Sequence, residues 1–196
     1  MMVVFHDGTE RTLSLSEDAL VLSPADSSSP TTVPLADIAF ISSAHPSPSI
    51  TYLSPPSPEA TNALPTVHTL ALNLATTSGA PPLFDSPALA PLLLHPSSTH
   101  RSLSVILNPS AGARTAQRFF ADIVRPLLDA AAIAYDLTET NAAGEAGVIG
   151  ARLVGQGART VLLVGGDGTT HEFVNGVLGA RADAGASAEP VDIILL

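Results

Sequence analysis

Asp167 stands among glycines, in the run Gly165-Gly166-Asp167-Gly168-Thr169. The apolar stretch Val161, Leu162, Leu163, Val164 leads into it, and a helix-like pattern follows in which Phe173, Val174, Val177 and Leu178 are spaced to share one face. A buried strand, a glycine turn and a helix N-terminus form the arrangement by which α/β proteins hold phosphate groups. An acid among phosphate-binding amides points to metal binding or proton removal rather than plain anion capture. A helix N-terminus supplies only about half a positive charge, too little for a triphosphate, and the chain has no lysine. With ATP as ligand a Mg²⁺ ion is then required, and Mg²⁺ takes one or two carboxylates together with phosphate oxygens. Asp167 suits that role, directly or through water, and equally suits acceptance of a hydroxyl proton. The sequence leaves both open.

Two further loops carry polar groups of the right kind. Asn108-Pro109-Ser110-Ala111-Gly112 closes an apolar stretch, with Pro109 fixing the chain direction and Asn108 and Ser110 offering hydrogen bonds to ribose or phosphate. An ordinary strand-to-helix turn with Ser110 or Thr115 near the helix cap accounts for this segment equally well when it is taken alone. Thr138 and Glu139 end a second stretch and lead into Thr140, Asn141 and Ala142. His171-Glu172 begins a zinc-protease pattern, but position 175 is Asn and the second imidazole is missing. His6, His45, His68, His95 and His100 have no ligand spacing and read as exposed or loop residues. There is no Gly-x-Ser-x-Gly elbow, and the Walker pattern fails for want of its lysine.

The elements that must position these loops form an α/β alternation over residues 101–196. Strands are predicted at Leu103–Leu107, Ile133–Leu137, Thr160–Val164 and Val191–Leu196. Helices are predicted at Thr115–Ala132, Asn141–Gln156 and Thr169–Leu178. Pro126 should kink the first helix. Gly144, Gly147, Gly150 and Gly155 dilute the second, each costing roughly 1 kcal/mol against Ala. Such alternation implies a Rossmann-like parallel sheet, whose ligands bind beyond the carboxyl ends of the strands. The loops Asn108–Gly112, Thr138–Ala142 and Gly165–Thr169 all emerge there and should converge.

Residues 1–100 differ in kind. They hold 14 of the 17 prolines and 2 of the 14 glycines, which sets a domain boundary near Pro96–Arg101. Short strands are predicted at Val3–Phe5, Thr12–Leu15, Leu20–Leu22, Ile38–Ile41, Ile50–Leu53 and Val67–Leu74. Loops are predicted over Ser23–Pro34, Ser42–Pro48, Ser54–Pro65 and Thr76–Pro87. The reading is a β-rich, loop-rich leader, with a largely disordered segment as the alternative.

Composition excludes several classes. The net charge of −10 argues against a nucleic-acid partner, because a backbone binder needs clustered cations. It argues equally against strong electrostatic attachment to anionic lipid. Absence of cysteine removes disulfides, thiolate metal sites and thiol nucleophiles. No apolar run approaches the roughly 18 residues of a membrane span, and a signal-peptide pattern is lacking. The expectation is a cytoplasmic protein, with peripheral visits to membranes left open.

Together NPSAG (108–112), LTETN (137–141) and GGDGTTHEFVNG (165–176), with their spacing, resemble the catalytic domain of the diacylglycerol kinase family. The sphingoid-base and ceramide kinase branch is the most similar. Gly-Gly-Asp-Gly-Thr also occurs in NAD kinases and phosphofructokinases. The following His-Glu-x-x-Asn-Gly, with Asn-Pro upstream, is more specific to lipid kinases. The resemblance covers residues 102–196 and implies ATP-dependent phosphorylation of a lipid hydroxyl at a membrane surface. It implies that Asn108, Pro109, Ser110, Gly112, Thr138 to Ala142 and Gly165 to Thr169 line the nucleotide site, with Asp167 matching the acid regarded as catalytic. A pleckstrin-homology-like leader is found in some eukaryotic members.

Two departures stand out. The family's first loop continues as a lysine-containing glycine run, whereas Ala111-Gly112-Ala113-Arg114 stands here, so Arg114 would replace the lysine with different geometry. The family also continues past the fourth strand into a Pro-x-Gly-Thr-x-Asn loop and a β-sandwich domain with much of the lipid site. A truncated kinase is the expectation, inactive as this fragment, with a non-catalytic nucleotide-binding remnant or an NAD-kinase-like enzyme as alternatives.

Overall fold

The computed structural model describes residues 2–5, 10–24, 29–42, 48–56, 58, 63–74, 86–94, 103–157, 160–184 and 190–196. The chain divides into two units, Met1–Ser97 and Ser98–Leu196.

The first unit is an eight-stranded sheet. Its strands are β1 (Met2–Phe5), β2 (Glu10–Leu15), β3 (Ala19–Pro24), β4 (Thr31–Pro34), β5 (Ile38–Ser42), β6 (Ser49–Ser54), β7 (Thr66–Leu74) and β8 (Leu93–Leu94). They lie in the order β4-β3-β2-β1-β7-β6-β5-β8. Strand β7 pairs through residues 66–71 with β6 and through residues 72–74 with β1, so one long strand joins both halves. Leu13, Leu20, Leu22 and Val33 from one half and Ile38, Ile41 and Ile50 from the other fall in one buried cluster with Leu72 of the joining strand. A single apolar cluster fed from both ends of the strand order requires the sheet to curl over its own face.

All six predicted strands are present, each within two residues of its expected ends. Strand β4 lies inside the expected Ser23–Pro34 loop. Only Val33 of its residues is buried, so β4 carries almost no apolar signal and is formed by pairing with Ala19–Leu22. The loops expected over Ser42–Pro48 and Thr76–Pro87 fall mostly outside the described residues and that over Ser54–Pro65 partly so; His6, His45, His95 and His100 lie outside them. His68 departs from the expected loop or exposed position. It lies on β7, half-buried, stacked on Tyr52 at 4.9 Å and hydrogen-bonded through Nε2 to Ser54 Oγ at 2.9 Å.

The second unit is a doubly wound α/β sheet. Its elements in chain order are β9 (Leu103–Leu107), α1 (Ala111–Phe119), a π-helical stretch Phe120–Val124, α2 (Arg125–Ala130), β10 (Tyr135–Glu139), α3 (Glu145–Gly155), β11 (Thr160–Val164), α4 (Asp167–Ala184) and β12 (Asp192–Leu195). The strand order is β10-β9-β11-β12, with every neighbour parallel. Alternation in the two central strands separates two cores, as period-2 geometry demands. Leu103, Val105, Leu107, Leu162 and Val164 meet Ala116, Phe120, Val124 and Leu128 on one face. Ile106, Val161 and Leu163 meet Ala146, Ile149, Leu153, Phe173 and Val177 on the other.

Several expectations shift here. Pro126 lacks the N–H that would reach Asp122, and the helix takes this up as the π-helical stretch just before α2. The second strand begins at Tyr135 rather than Ile133, which is 39% exposed; Tyr135 instead packs edge-on against Phe120. Helix α3 starts only at Glu145, after Gly144 in a left-handed conformation. Leu178 does not share the buried face of Phe173 and Val177 but is 58% exposed.

Gly147 and Gly150 of α3 form the surface on which it meets α4, while Gly155 faces open space. A Cβ on Gly150 would lie 2.7 Å from the Phe173 carbonyl oxygen, one on Gly147 3.0 Å from that of Glu172, and one on Gly176 would overlap the Gly147 backbone. What reads in sequence as a weakened helix is a close helix crossing.

Candidate functional site at the carboxyl edge of the parallel sheet

Strand order places a topological switch between β9 and β11. The chain leaves β9 toward the α1 face and leaves β11 toward the α4 face, which opens a crevice between the two turns, the usual ligand position in open α/β sheets.

Asn108 bridges that crevice. Its backbone N–H donates to the Val164 carbonyl at 2.9 Å. Its side-chain amide donates to Thr169 Oγ1 at 2.7 Å, across 61 residues of chain. Its Oδ1 accepts the Ser110 N–H at 3.0 Å, an Asx turn that shapes the loop. Two of these bonds hold the β9 and β11 turns in register, while Oδ1 and the Asn108 carbonyl, which accepts the Ala111 N–H at 3.1 Å, shape the β9 turn itself. The Thr169 side chain is buried and also sits against Gly165, where a Cβ would lie 3.0 Å from the Thr169 Cβ.

We expect Asn108→Ala, which strands the buried Thr169 hydroxyl, to destabilise the second unit by about 1–3 kcal/mol. A lowered urea midpoint at unchanged slope would report this, and an unmoved midpoint would contradict it.

Asp167 lies one step later than a turn position. Gly165 and Gly166 alone make the turn, because the Gly166 carbonyl already accepts the Thr170 N–H at 3.1 Å and helix α4 starts at Asp167, two residues before its expected start. Asp167 is exposed in the first helical turn, where N–H groups lack intrahelical acceptors. Gly166 and Gly168 face open space.

The first loop continues irregularly. Pro109 and Ser110 form a turn, and exposed Ser110 occupies the N-cap position of α1 without a side-chain capping bond. Gly112 and Arg114 both take positive φ, 57° and 72°. For Arg114 the left-handed backbone costs about 1–2 kcal/mol. Thr115 Oγ1 donates to the Gly112 carbonyl at 2.6 Å.

The third loop reaches the same edge. Thr138 and Glu139 pair with Ile106 and Leu107 on β9, and buried Thr140 donates its N–H to the Leu107 carbonyl at 2.9 Å. Asn141 and Ala142 turn away toward α3, both donating backbone N–H groups to Glu145 Oε2, at 2.6 and 3.2 Å. Sequence reading passed over Glu145, whose signal was a carboxylate three and four residues after two loop amides.

The Asn141 N–H above all, then that of Ala142, holds the Glu145 carboxyl below its ordinary value. A lowered folded-state value means that this contribution is complete above the ordinary carboxylate range. It is lost only as pH falls through the lower value. Amide resonances of Asn141 and Ala142 should therefore stay in place through the ordinary Glu range and move at lower pH. Movement centred in the ordinary range would contradict the assignment.

On the other side of Asp167 a cleft of about 460 Å³ runs between α4 and the end of β12, lined by Gly165, Gly166, Asp167, Thr170, His171, Val174, Asn175, Leu195 and Leu196. Gly165 donates its N–H to the Leu196 carbonyl at 3.3 Å, closing the floor. Asn175 Nδ2 lies 3.1 Å from His171 Nε2. No group of three His, Cys, Asp or Glu side chains among the described residues is gathered to hold a metal.

Residues 102–194, the segment containing all three loops, match the family model described as the diacylglycerol kinase catalytic domain. The likeness is thus to a kinase catalytic domain and lies within the second unit. Two solved structures described as "a putative diacylglycerol kinase from Bacillus anthracis str. Sterne" are each 25% identical to this chain, with a TM-score of 0.38, covering 48% of it. The matches span 31% and 30% of those chains, so this chain corresponds to less than a third of their length. No curated protein matches the chain.

Proposed function

We propose that residues 101–196 are the nucleotide-binding part of an ATP-dependent lipid kinase, one that transfers the γ-phosphate to the hydroxyl of a sphingoid base, ceramide or diacylglycerol. The observation that carries this reading is the Asn108–Thr169 bond, which locks the two switch-point turns together beside an exposed Asp167. Phosphoryl transfer depends on positioning and charge neutralisation more than on covalent chemistry, and this edge offers amides, hydroxyls and the carboxylates of Asp167 and Glu139. Asn108, Pro109, Ser110 and Gly112, with Thr138 to Ala142, would flank the nucleotide. Gly165, Gly166, Gly168 and Thr169 would face its phosphates.

With no group of three ligand side chains gathered among the described residues, Asp167 fits Mg²⁺ only as one ligand beside phosphate oxygens. The ion would arrive with the nucleotide and supply the positive charge that the lysine-free chain lacks. Asp167 would either hold it or receive the hydroxyl proton.

The family match over residues 102–194 supports the kinase class. His171-Glu172 and Asn175 support the lipid branch over an NAD-kinase-like enzyme. For residues 1–100 we propose a pleckstrin-homology-like module, supported by the meander β4-β3-β2-β1-β7-β6-β5 that joins β7 to β1. No helix among the described residues is long and apolar enough to cross a membrane, so access to lipid would be peripheral.

Calorimetric titration of the folded chain with Mg-ATP tests the reading. Saturable heat that Asn108→Ala weakens is the expected result, and no heat from a sample proven folded would overturn it.

A further inference from the structure

Six of the sixteen serines in residues 1–100 precede a proline, at positions 23, 29, 47, 54, 57 and 86, against none of the four serines beyond residue 100. The pairing therefore belongs to the first unit and has no part in the proposed nucleotide site. Proline after a serine offers no N–H and holds the serine extended. Those are the features by which a proline-directed protein kinase selects the hydroxyl it phosphorylates.

The fold makes these serines unequal, those at 47 and 57 lying outside the described residues. Ser23 is half-buried on β3, between β2 and β4, and pairs with Thr12. Ser54 ends β6 opposite Thr66, its hydroxyl hydrogen-bonded to His68 Nε2 at 2.9 Å. Ser86 is half-buried and opens a turn, its carbonyl accepting the N–H groups of Leu89 and Ala90 at 3.0 and 3.2 Å, with Leu89 fully buried. Ser29 is the exposed one of the four, and Pro30 after it is exposed too. They lead into β4, the outermost strand of the sheet, where Thr31, Thr32 and Pro34 are exposed and only Val33 is buried. A strand paired on one side and anchored by one apolar side chain opens at little cost. Ser29 and the residues after it can then lie along an enzyme's groove while the other strands stay paired.

We propose that Ser29 is a phosphorylation site for a proline-directed protein kinase, singled out by the fold from the other described Ser-Pro pairs. Ser29 Oγ attacks the γ-phosphorus of ATP held by that kinase, and the bond from phosphorus to the ADP oxygen breaks. The hydroxyl proton passes to the kinase's own base, leaving phosphoserine and ADP. The product adds a charge of about −1.5 to −2 at neutral pH. Residues 19–34 contain no lysine or arginine, so this hairpin has no cation to fold around the phosphate. The added charge stays displayed to solvent and leaves the sheet as it is. The proposal is independent of the lipid-kinase reading and survives its failure.

The folded full chain, incubated with Mg-ATP and a purified mitogen-activated protein kinase and mapped by mass spectrometry, tests this. Phosphate should collect on Ser29 at least about tenfold faster than on Ser23, Ser54 or Ser86, which are reached only through local opening. Ser29→Ala should remove the fast phase, and Pro30→Ala should slow the marking of Ser29 without burying it. Peptides of residues 49–59 and 81–91, in which Ser54 and Ser86 are freed from the fold, should be accepted, and their refusal would sink the claim that the fold selects. A folded chain that takes no phosphate on Ser29, or takes it on Ser23, Ser54 or Ser86 equally fast, would overturn the proposal.

Discussion

In a full-length form with the proposed function, replacing Asp167 with Asn is expected to remove phosphoryl transfer to a lipid alcohol while leaving the fold intact. Asp167 is exposed and makes no contact that the sheet needs; its neighbours Gly166 and Gly168 face open space. The only structural cost is the favourable meeting of a carboxylate with the N-terminal end of α4, about 0.3–1 kcal/mol. Asn keeps the size and the capping oxygen but cannot accept a proton and is a poor Mg²⁺ ligand. Loss of a proton acceptor lowers the rate by roughly 10²–10⁴-fold. Transfer of labelled γ-phosphate, with circular dichroism as the folding control, reads both halves of the expectation. Partial recovery of Asp167→Asn at high Mg²⁺ would assign Asp167 to the metal. Insensitivity to Mg²⁺ would assign it to the proton, and unchanged transfer would take Asp167 out of the mechanism.

The second large effect is structural. Gly176→Ala should destabilise the second unit by about 3 kcal/mol, at the upper end of ordinary overpacking, because the added methyl overlaps the Gly147 backbone, which cannot rotate away as a flexible side chain would. Helices α3 and α4 must then separate, and the cluster joining Ala146, Ile149 and Leu153 to Phe173 and Val177 loosens with them. For a unit of this size the melting temperature should fall by roughly 12 °C or more. Gly179 is the internal control. It lies in the same helix with open space around its Cβ position, so Gly179→Ala should stabilise by about 0.5–1 kcal/mol. Thermal unfolding of the two variants should move in opposite directions. Parallel shifts would show that helix propensity, not the crossing, governs α4.

Much of the second unit is legible from local pattern. Leu103–Leu107 and Thr160–Val164 appear with their expected bounds, since both are short apolar runs closed by turn residues and buried on both faces. Weak patterns moved. Strand β10 is an edge strand with Leu137 37% exposed, so its apolar signal was too diffuse to fix its ends. Strand β4 had almost no signal, because cross-strand hydrogen bonds rather than buried side chains make it a strand.

The candidate site was readable as a set of residues but not as an arrangement. Residue types and spacing alone determined that a glycine turn joins a buried strand to a helix beside Asp167, and that Asn108-Pro109 ends a parallel strand at the same edge; that Asp167 opens the helix rather than sitting in the turn was decided by the structure. The first two are local facts, set by backbone freedom and side-chain period. Tertiary structure alone decided that Asn108 reaches Thr169 across 61 residues and that Glu145 gathers the third loop. It also decided that Gly147 and Gly150 of α3 seat α4, and that His171 and Leu196 share a cleft. Each of these joins groups distant in the chain, and their meeting depends on which face of the sheet each crossover takes, a choice made by packing the whole unit at once.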